Sequence, residues 1–292
     1  MKKRKVLITG SNGQLGHSLN LFLKSKSFTV YNTSLNIGPF NIEGINLSIE
    51  NNVSILMKKI KPDYIINCAA YTNVDQCEKN KKNAYDSNVK IVKNILKNMS
   101  IDSKLIQISS DYIFDGKASM YNEDSLPNPL NYYGKTKLES ENLIRSSQKK
   151  YIIIRTGNLY SEYLNIPSNR LSWIINSLKN NKEIKAIDDM LSKPTSINAL
   201  SNVIINLLSF NQNLIINYCG QDKMSIYDFC LLVAKIFDYD SNLINKCSIK
   251  DFDFVAERPK DVSLNTSLIS DLINCNIYET EYSLKLIKDI LR

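Results

Sequence analysis

Lys5-Val6-Leu7-Ile8-Thr9 is an unbroken run of apolar and β-branched residues near the start of the chain, the pattern of a strand buried on both faces. Gly10-Ser11-Asn12-Gly13-Gln14-Leu15-Gly16 follows without a gap, with the spacing G-x-x-G-x-x-G. A buried strand that must turn at once into a helix leaves few folds open. Gly10 permits the sharp bend, Gly13 lets a bulky anion approach the backbone, and Gly16 lets the helix lie close to the strand. The helix expected over about 13–23 points unpaired amides and the positive end of its dipole at the same place, which suits a pyrophosphate. The stretch therefore predicts a dinucleotide site with contacts from Gly10, Asn12, Gly13, Gln14 and Leu15.

Strands and helices then alternate. Runs at 28–31, 64–68, 105–108 and 151–155 read as strands, and 49–60 and 74–97 carry helical apolar spacing. Such alternation requires right-handed parallel crossovers, so the expected class is α/β, a Rossmann-type doubly wound parallel sheet. Ligands of such sheets sit beyond the carboxyl ends of the strands, the edge that Gly10, Ala69, Ser110 and Thr156 would share. The exit of the third strand, Cys68-Ala69-Ala70-Tyr71, is small where backbone must run beneath a dinucleotide. Beyond about residue 160 the pattern loosens into helices at 173–178, 199–208, 225–237 and 282–291 and strands at 183–187 and 214–218. The expected division is a dinucleotide-binding domain over 1–160, with segments near 183–208 returning to it. A smaller C-terminal substrate-binding lobe occupies mainly 161–292 and forms the other wall of a cleft.

The stretch 105–143 carries the chemistry. A strand delivers Ser110, and after a polar loop holding Pro127 and Pro129 a helix begins near Tyr133-Gly134-Lys135-Thr136-Lys137. Tyr133 and Lys137 are four residues apart and share one helix face. A neighbouring ammonium favours the phenolate, bringing a phenol of ordinary pKa near 10 closer to a usable proton donor. The Ser110 hydroxyl can bind the same substrate oxygen from the other side. Asn88, within the 74–97 helix, is a polar residue suited to orienting the lysine.

Composition narrows the partners. Lys and Arg exceed Asp and Glu by 37 to 29, giving a net charge of +8, which suits anionic ligands such as pyrophosphates. No basic stripe interleaved with aromatics and no nucleic-acid motif accompanies it, so no nucleic-acid partner is expected. No apolar run reaches bilayer length, and Met1-Lys2-Lys3-Arg4 leaves no room for a signal peptide, so no membrane partner and a cytoplasmic location are expected. The six scattered cysteines read as reduced, buried or bystander thiols, His17 as a surface or packing residue, and no spacing points to a metal. The second strand ends in Asn32-Thr33-Ser34, with neither the acid that grips a ribose nor an arginine. The absence of a repelling acid leans to NADPH, with NADH retained.

Taken in order, Gly10 to Gly16, Asn67-Cys68-Ala69-Ala70-Tyr71-Thr72-Asn73-Val74-Asp75, Ser109-Ser110-Asp111-Tyr112-Ile113-Phe114, and Tyr133 with Lys137 resemble the extended short-chain dehydrogenase/reductase family. Within it the likeness is to the dTDP-4-dehydrorhamnose reductases. Lys193-Pro194-Thr195 and Arg258-Pro259 with Ser263-Leu264 resemble the C-terminal signatures, so the likeness spans almost the whole chain. It implies hydride transfer from a reduced nicotinamide to the C4 ketone of a nucleotide-linked 6-deoxy-4-keto-hexose, in deoxysugar and polysaccharide biosynthesis. Tyr133 is then the proton donor, Lys137 bonds the nicotinamide ribose, and Ser110 binds the carbonyl oxygen. Cys68, Ala69, Ala70, Tyr71, Asn46 and Leu47 join the cofactor contacts, and Asp111, Tyr112, Asn158 and Arg258 join Ser110 on the substrate. Some relatives pair, which allows a homodimer.

Differences from the pattern matter. Sugar-nucleotide 4,6-dehydratases carry Asp-Glu after the serine or threonine, and Asp111-Tyr112 here lacks the glutamate needed to expel the C6 hydroxyl. The reductases commonly read Arg-Thr-Ser-Trp-Val-Tyr where this chain reads Arg155-Thr156-Gly157-Asn158-Leu159-Tyr160, so a small amide replaces an indole near the sugar. Asn46 replaces an aspartate at the adenine end, implying altered cofactor binding. Two alternatives stay open: a sugar-nucleotide epimerase, and a non-catalytic NADP-binding regulatory subunit similar to that of methionine adenosyltransferase.

Overall fold

The computed structural model describes residues 3–40 and 43–292. Met1 and Lys2, part of the basic lead into the first strand, lie outside the described residues. The first half runs β1 (Arg4–Thr9), α1 (Gln14–Lys24), β2 (Phe28–Thr33), α2 (Glu50–Ile60) and β3 (Tyr64–Asn67). It continues through α3 (Val74–Lys79), α4 (Lys81–Tyr85), α5 (Ile91–Asn98), β4 (Lys104–Ile108), α6 (Tyr132–Arg145) and β5 (Lys150–Arg155). The second half holds β6 (Leu159–Tyr160), α7 (Arg170–Lys179), β7 (Ile184–Ile187), β8 (Leu191–Ser192), β9 (Thr195–Ser196), α8 (Ile197–Leu207) and β10 (Leu214–Asn217). It ends with β11 (Met224–Ser225), α9 (Ile226–Phe237), β12 (Ile244–Cys247), α10 (Ser267–Ile273) and α11 (Thr280–Leu291).

Six strands form one sheet in the order β10-β5-β4-β3-β1-β2, every neighbouring pair parallel. The order reverses beside β1, which opens a crevice at the carboxyl edge between β1 and β3. Val6, Leu7 and Ile8 are fully buried because helices cover both faces. Val6 and Ile8 meet Leu15, Leu19 and Leu23 of α1 and Leu200, Val203 and Ile204 of α8 on one face. Leu7 meets Val53 and Met57 of α2 and Ile91, Val92 and Ile95 of α5 on the other. At about 1.5–3 kcal/mol for each large apolar side chain fully buried, these two layers carry the sheet.

The second lobe has its own core, in which Leu171, Ile174 and Leu178 of α7 pack against Phe229, Val233 and Ala234 of α9 and Leu284 of α11. The strand expected at 183–187 forms as β7, but it pairs with β12 and does not return to the main sheet. Its burial alternates, with Ile184 and Ala186 inside and Lys185 exposed, so it offers one apolar face to α7 and α9. The segment that does return is α8 with β10, which pairs with β5 at the sheet edge. The segment of helical spacing over 74–97 is interrupted, first at Asn80 and then by a π-helical turn, Asp86–Lys90, that carries Asn88.

Candidate active site

The glycine loop has the form expected from its spacing. Gly10 lies at φ +63° and so close to the next strand that a Cβ would sit 2.7 Å from the Ala69 nitrogen. A Cβ on Gly16 would sit 2.5 Å from the Gly10 carbonyl oxygen, which keeps α1 against β1. At Gly13 the nearest atom to such a carbon is 3.4 Å away, so this face of the turn is open. No side chain caps α1 and no acid lies in its first turn, which leaves its amides available to an anion. Gln14 is fixed by accepting from Ser161 at 2.8 Å and donating to the Ser168 carbonyl at 3.2 Å, which ties the second lobe to the loop.

A cavity of about 450 Å³ extends from this turn along the sheet edge. Gly10, Gly13, Gln14, Leu15, Cys68 and Ala70 line one end, and Ser110, Asp111, Tyr112, Tyr133, Lys137 and Asn158 line the other. The structure does not bring every expected cofactor contact into it. Asn12 donates to the Asn36 carbonyl at 2.8 Å and braces the loop beside the turn. Ala69 backs Gly10, and the Tyr71 backbone is clamped by the Asn88 amide, which accepts from its nitrogen at 2.7 Å and donates to its carbonyl at 3.2 Å. Asn88 also donates to Thr136 at 2.9 Å, so it braces the strand exit and not the lysine. Asn46 and Leu47 lie at the entry to α2, where the Asn46 side chain accepts from Ser48 and the Leu47 carbonyl accepts from Asn94.

Ser110 caps a short 3-10 turn, accepting from the Tyr112 nitrogen at 3.2 Å and donating to the Asp111 carboxyl at 3.1 Å. Ser110 and Tyr133 line the same end of the cavity, where the Ser110 hydroxyl favours the Tyr133 phenolate against the larger effect of burial. Lys137 donates to the Ile108 carbonyl at 2.6 Å, which holds Nζ at the end of β4. The expected lowering of the tyrosine by this lysine is not what the surroundings produce. Burial drives the Tyr133 pKa up, and it lowers Lys137 to about 8 despite the opposing charge of Glu141. The phenol thus holds its proton at neutral pH.

Two residues of the site, Gly157 and Arg170, carried no signal as contacts in the sequence. Burial pushes Asp111 up to about 7, against the hydrogen bond from Ser110, and its carboxyl occupies space left by Gly157, where a Cβ would sit 1.8 Å from Oδ2. Asn158 follows at φ +47° with its amide hydrogen-bonded to Ser192, so the residue in place of the expected indole is turned toward the second lobe. Arg170, the first residue of α7, lines the same cavity. Arg258 lies in an adjoining cavity of about 230 Å³ that shares Tyr112, Asn158 and Arg170 with the first, paired with Asp75 at 3.0 Å. His17 packs between Phe40 and Tyr163, with ring centroids 4.6 Å from each. Among the described residues no helix is long and apolar enough to cross a membrane.

A Rossmann sheet whose carboxyl edge carries a serine, a tyrosine and a lysine four residues on defines the extended short-chain dehydrogenase/reductase class. Within that class the chain belongs to the family described as RmlD substrate binding domain, whose model matches residues 4–292. It is 28% identical over 298 residues to dTDP-4-dehydrorhamnose reductase of Aggregatibacter actinomycetemcomitans, covering 97% of this chain and 98% of that protein. It is 29% identical over 246 residues to methionine adenosyltransferase 2 subunit beta of Xenopus tropicalis, covering 82% and 74%. The solved structure of dTDP-4-dehydrorhamnose reductase from Bacillus anthracis, a complex with NADP, superposes with a TM-score of 0.91 at 27% identity, over 99% of this chain and 100% of that one.

Proposed function

We propose that the protein is an NADPH- or NADH-dependent oxidoreductase that reduces the C4 ketone of a nucleotide-activated 6-deoxy-4-keto-hexose, as its dTDP-4-dehydrorhamnose reductase relatives are named for doing. The single observation that carries this reading is that Ser110, Tyr133 and Lys137 line one cavity that begins at an open glycine turn. The turn fits a dinucleotide: the face of Gly13 is open, the α1 amides are uncapped, and no carboxylate lies in the first helical turn. Gly10, Gly13, Gln14 and Leu15 would hold the pyrophosphate, with Cys68, Ala70 and Lys137 further along. When bound, the reduced nicotinamide supplies a hydride to the carbonyl carbon.

The chain's own residues manage the oxygen and its proton. Tyr133 gives its phenolic proton to the ketone oxygen, which stays on its carbon and becomes the new hydroxyl. Ser110 donates to the same oxygen, meeting the developing charge with a group already in place. The Lys137 ammonium, on the same helix face one turn on, offsets the phenolate that remains. Asp111, Tyr112, Asn158 and Arg258 form the substrate side. The lobe outside the Rossmann sheet is its far wall.

The test is to mix purified protein with NADPH or NADH and a panel of nucleotide-linked 4-keto-sugars, following the absorbance of the reduced nicotinamide. Enzyme-dependent loss with a 4-keto-6-deoxy-hexose is expected. An epimerase would convert the sugar with no net loss of NADPH. A non-catalytic regulatory subunit would bind NADPH and turn over nothing.

A further inference from the structure

The last row of the sheet before the cavity is polar where burial on both faces calls for apolar side chains. Thr9, Asn67 and Gln107 are direct neighbours across β1, β3 and β4, and all three are buried. Two residues earlier on the same face stand Leu7, Ile65 and Leu105, packed in the layer against α2 and α5. The polar row is bonded head to tail. Thr9 donates to Asn67 Oδ1 at 2.5 Å, Asn67 Nδ2 to Gln107 Oε1 at 2.7 Å, and Gln107 Nε2 to the Ile108 carbonyl at 2.9 Å. At the other end the Ala69 nitrogen donates to Thr9 Oγ1 at 3.3 Å. Bonds running in one direction polarise one another, and in so dry a place each amide is costly unless its bonds are made. Leucine or isoleucine in these positions would have continued the layer without that cost.

Both ends of the row touch the site. Ala69 backs Gly10 at the glycine turn, and the Ile108 carbonyl is the group that holds Lys137 Nζ at 2.6 Å. That is the one hydrogen bond the ammonium makes with a described residue, at the tip of a long side chain that could swing about it. A carbonyl oxygen offers two lone pairs. Gln107 takes one of them, so the ammonium is left a single direction of approach.

We propose that Gln107 is a positioning residue for Lys137: it occupies one side of the Ile108 carbonyl and so aims the ammonium, while the row through Asn67 and Thr9 ties that aim to the glycine turn. The inference rests on the reductase reading, in which Lys137 offsets the Tyr133 phenolate. It accounts for three buried polar side chains in a sheet that needs none for folding, and it holds the two ends of the cofactor site at a fixed span.

Gln107→Met keeps the side-chain length and removes the amide. With saturating NADPH and a nucleotide-linked 4-keto-6-deoxy-hexose, its single-turnover rate is expected to fall by about tenfold or more. The same change made in Lys137→Met should alter the rate by less than about twofold, because the group through which it acts is gone. A merely structural role would slow both backgrounds alike. If Gln107→Met strands the Asn67 amide and fails to fold, the pair Asn67→Leu with Gln107→Met removes both partners and takes its place in both backgrounds. Lys137 is also read without substrate, by NMR of protein carrying ¹³C at the lysine ε carbon. Gln107→Glu sets a carboxylate beside the shared oxygen, so the Lys137 midpoint should rise from about 8, with Glu141, Cys68 and Cys77, the other groups acting on it, left in place. An unmoved midpoint, a Gln107→Met rate within about twofold of the wild type, or equal loss in both backgrounds overturns the positioning role and leaves the reductase reading standing. A wild type that reduces none of the sugars overturns the reductase reading, and the Lys137 titration then decides this one.

Discussion

Asp111 and Gly157 form one unit, because the carboxyl of the first fills the volume in which a side chain on the second would lie. Folding raises that carboxyl to about 7, so between its ordinary range and that value the native chain holds a proton the unfolded chain has lost. Stability from this group is therefore greatest in acid and is lost as pH rises through about 7. Asp111→Asn removes the penalty: its melting temperature is expected to exceed that of the wild type near pH ~8, with a gap that closes as pH falls. An equal melting temperature across that range would contradict the burial argument. The sequence made Ser110, Tyr133 and Lys137 legible because the helical spacing of the last two is local. Gly157 read only as a departure from a pattern, since its cause is an atom far earlier in the chain. The effect of Lys137 on Tyr133 was misjudged because spacing conveys charge proximity and says nothing of burial.

At the scale of elements, the open face of Gly13 separates binding from folding. Its backbone, φ −76° and ψ 162°, suits a β-branched residue, and a Cβ meets nothing nearer than 3.4 Å. Gly13→Val should therefore melt near the wild type while weakening NADPH by about tenfold or more, read by titration. Unchanged NADPH affinity would remove the pyrophosphate from this turn. The alternation of strands and helices was legible because continuous apolar runs such as 64–66 and 152–154 are buried on both faces. The interruption of 74–97 was not, because a single five-residue π turn is too short for its own spacing to register, although it carries the Asn88 that reaches Tyr71 and Thr136. The two-residue strands β6, β8, β9 and β11 are too short for any periodicity to register.

Across the whole molecule, one buried pair locks the layers under the site. Arg155 of β5 and Glu141 of α6, 2% and 1% exposed, meet at 2.8 Å, with Ser109 after β4 donating to Glu141 at 2.5 Å. Glu141→Ala would strand the guanidinium in the core and is expected to cost about 3–5 kcal/mol in urea unfolding. A loss under about 1 kcal/mol would mean that the charge finds water. That β10 completes the sheet was read as a strand but not as its edge, since pairing across the chain leaves no local mark. The account as a whole turns on Tyr133 giving its proton to an oxygen that Ser110 also holds. It is tested most directly by the single-turnover rate of Tyr133→Phe with saturating NADPH and a nucleotide-linked 4-keto-6-deoxy-hexose. The expected result is NADPH affinity within twofold of the wild type and a rate lower by a factor of about 10² or more. A rate equal to that of the wild type would contradict it.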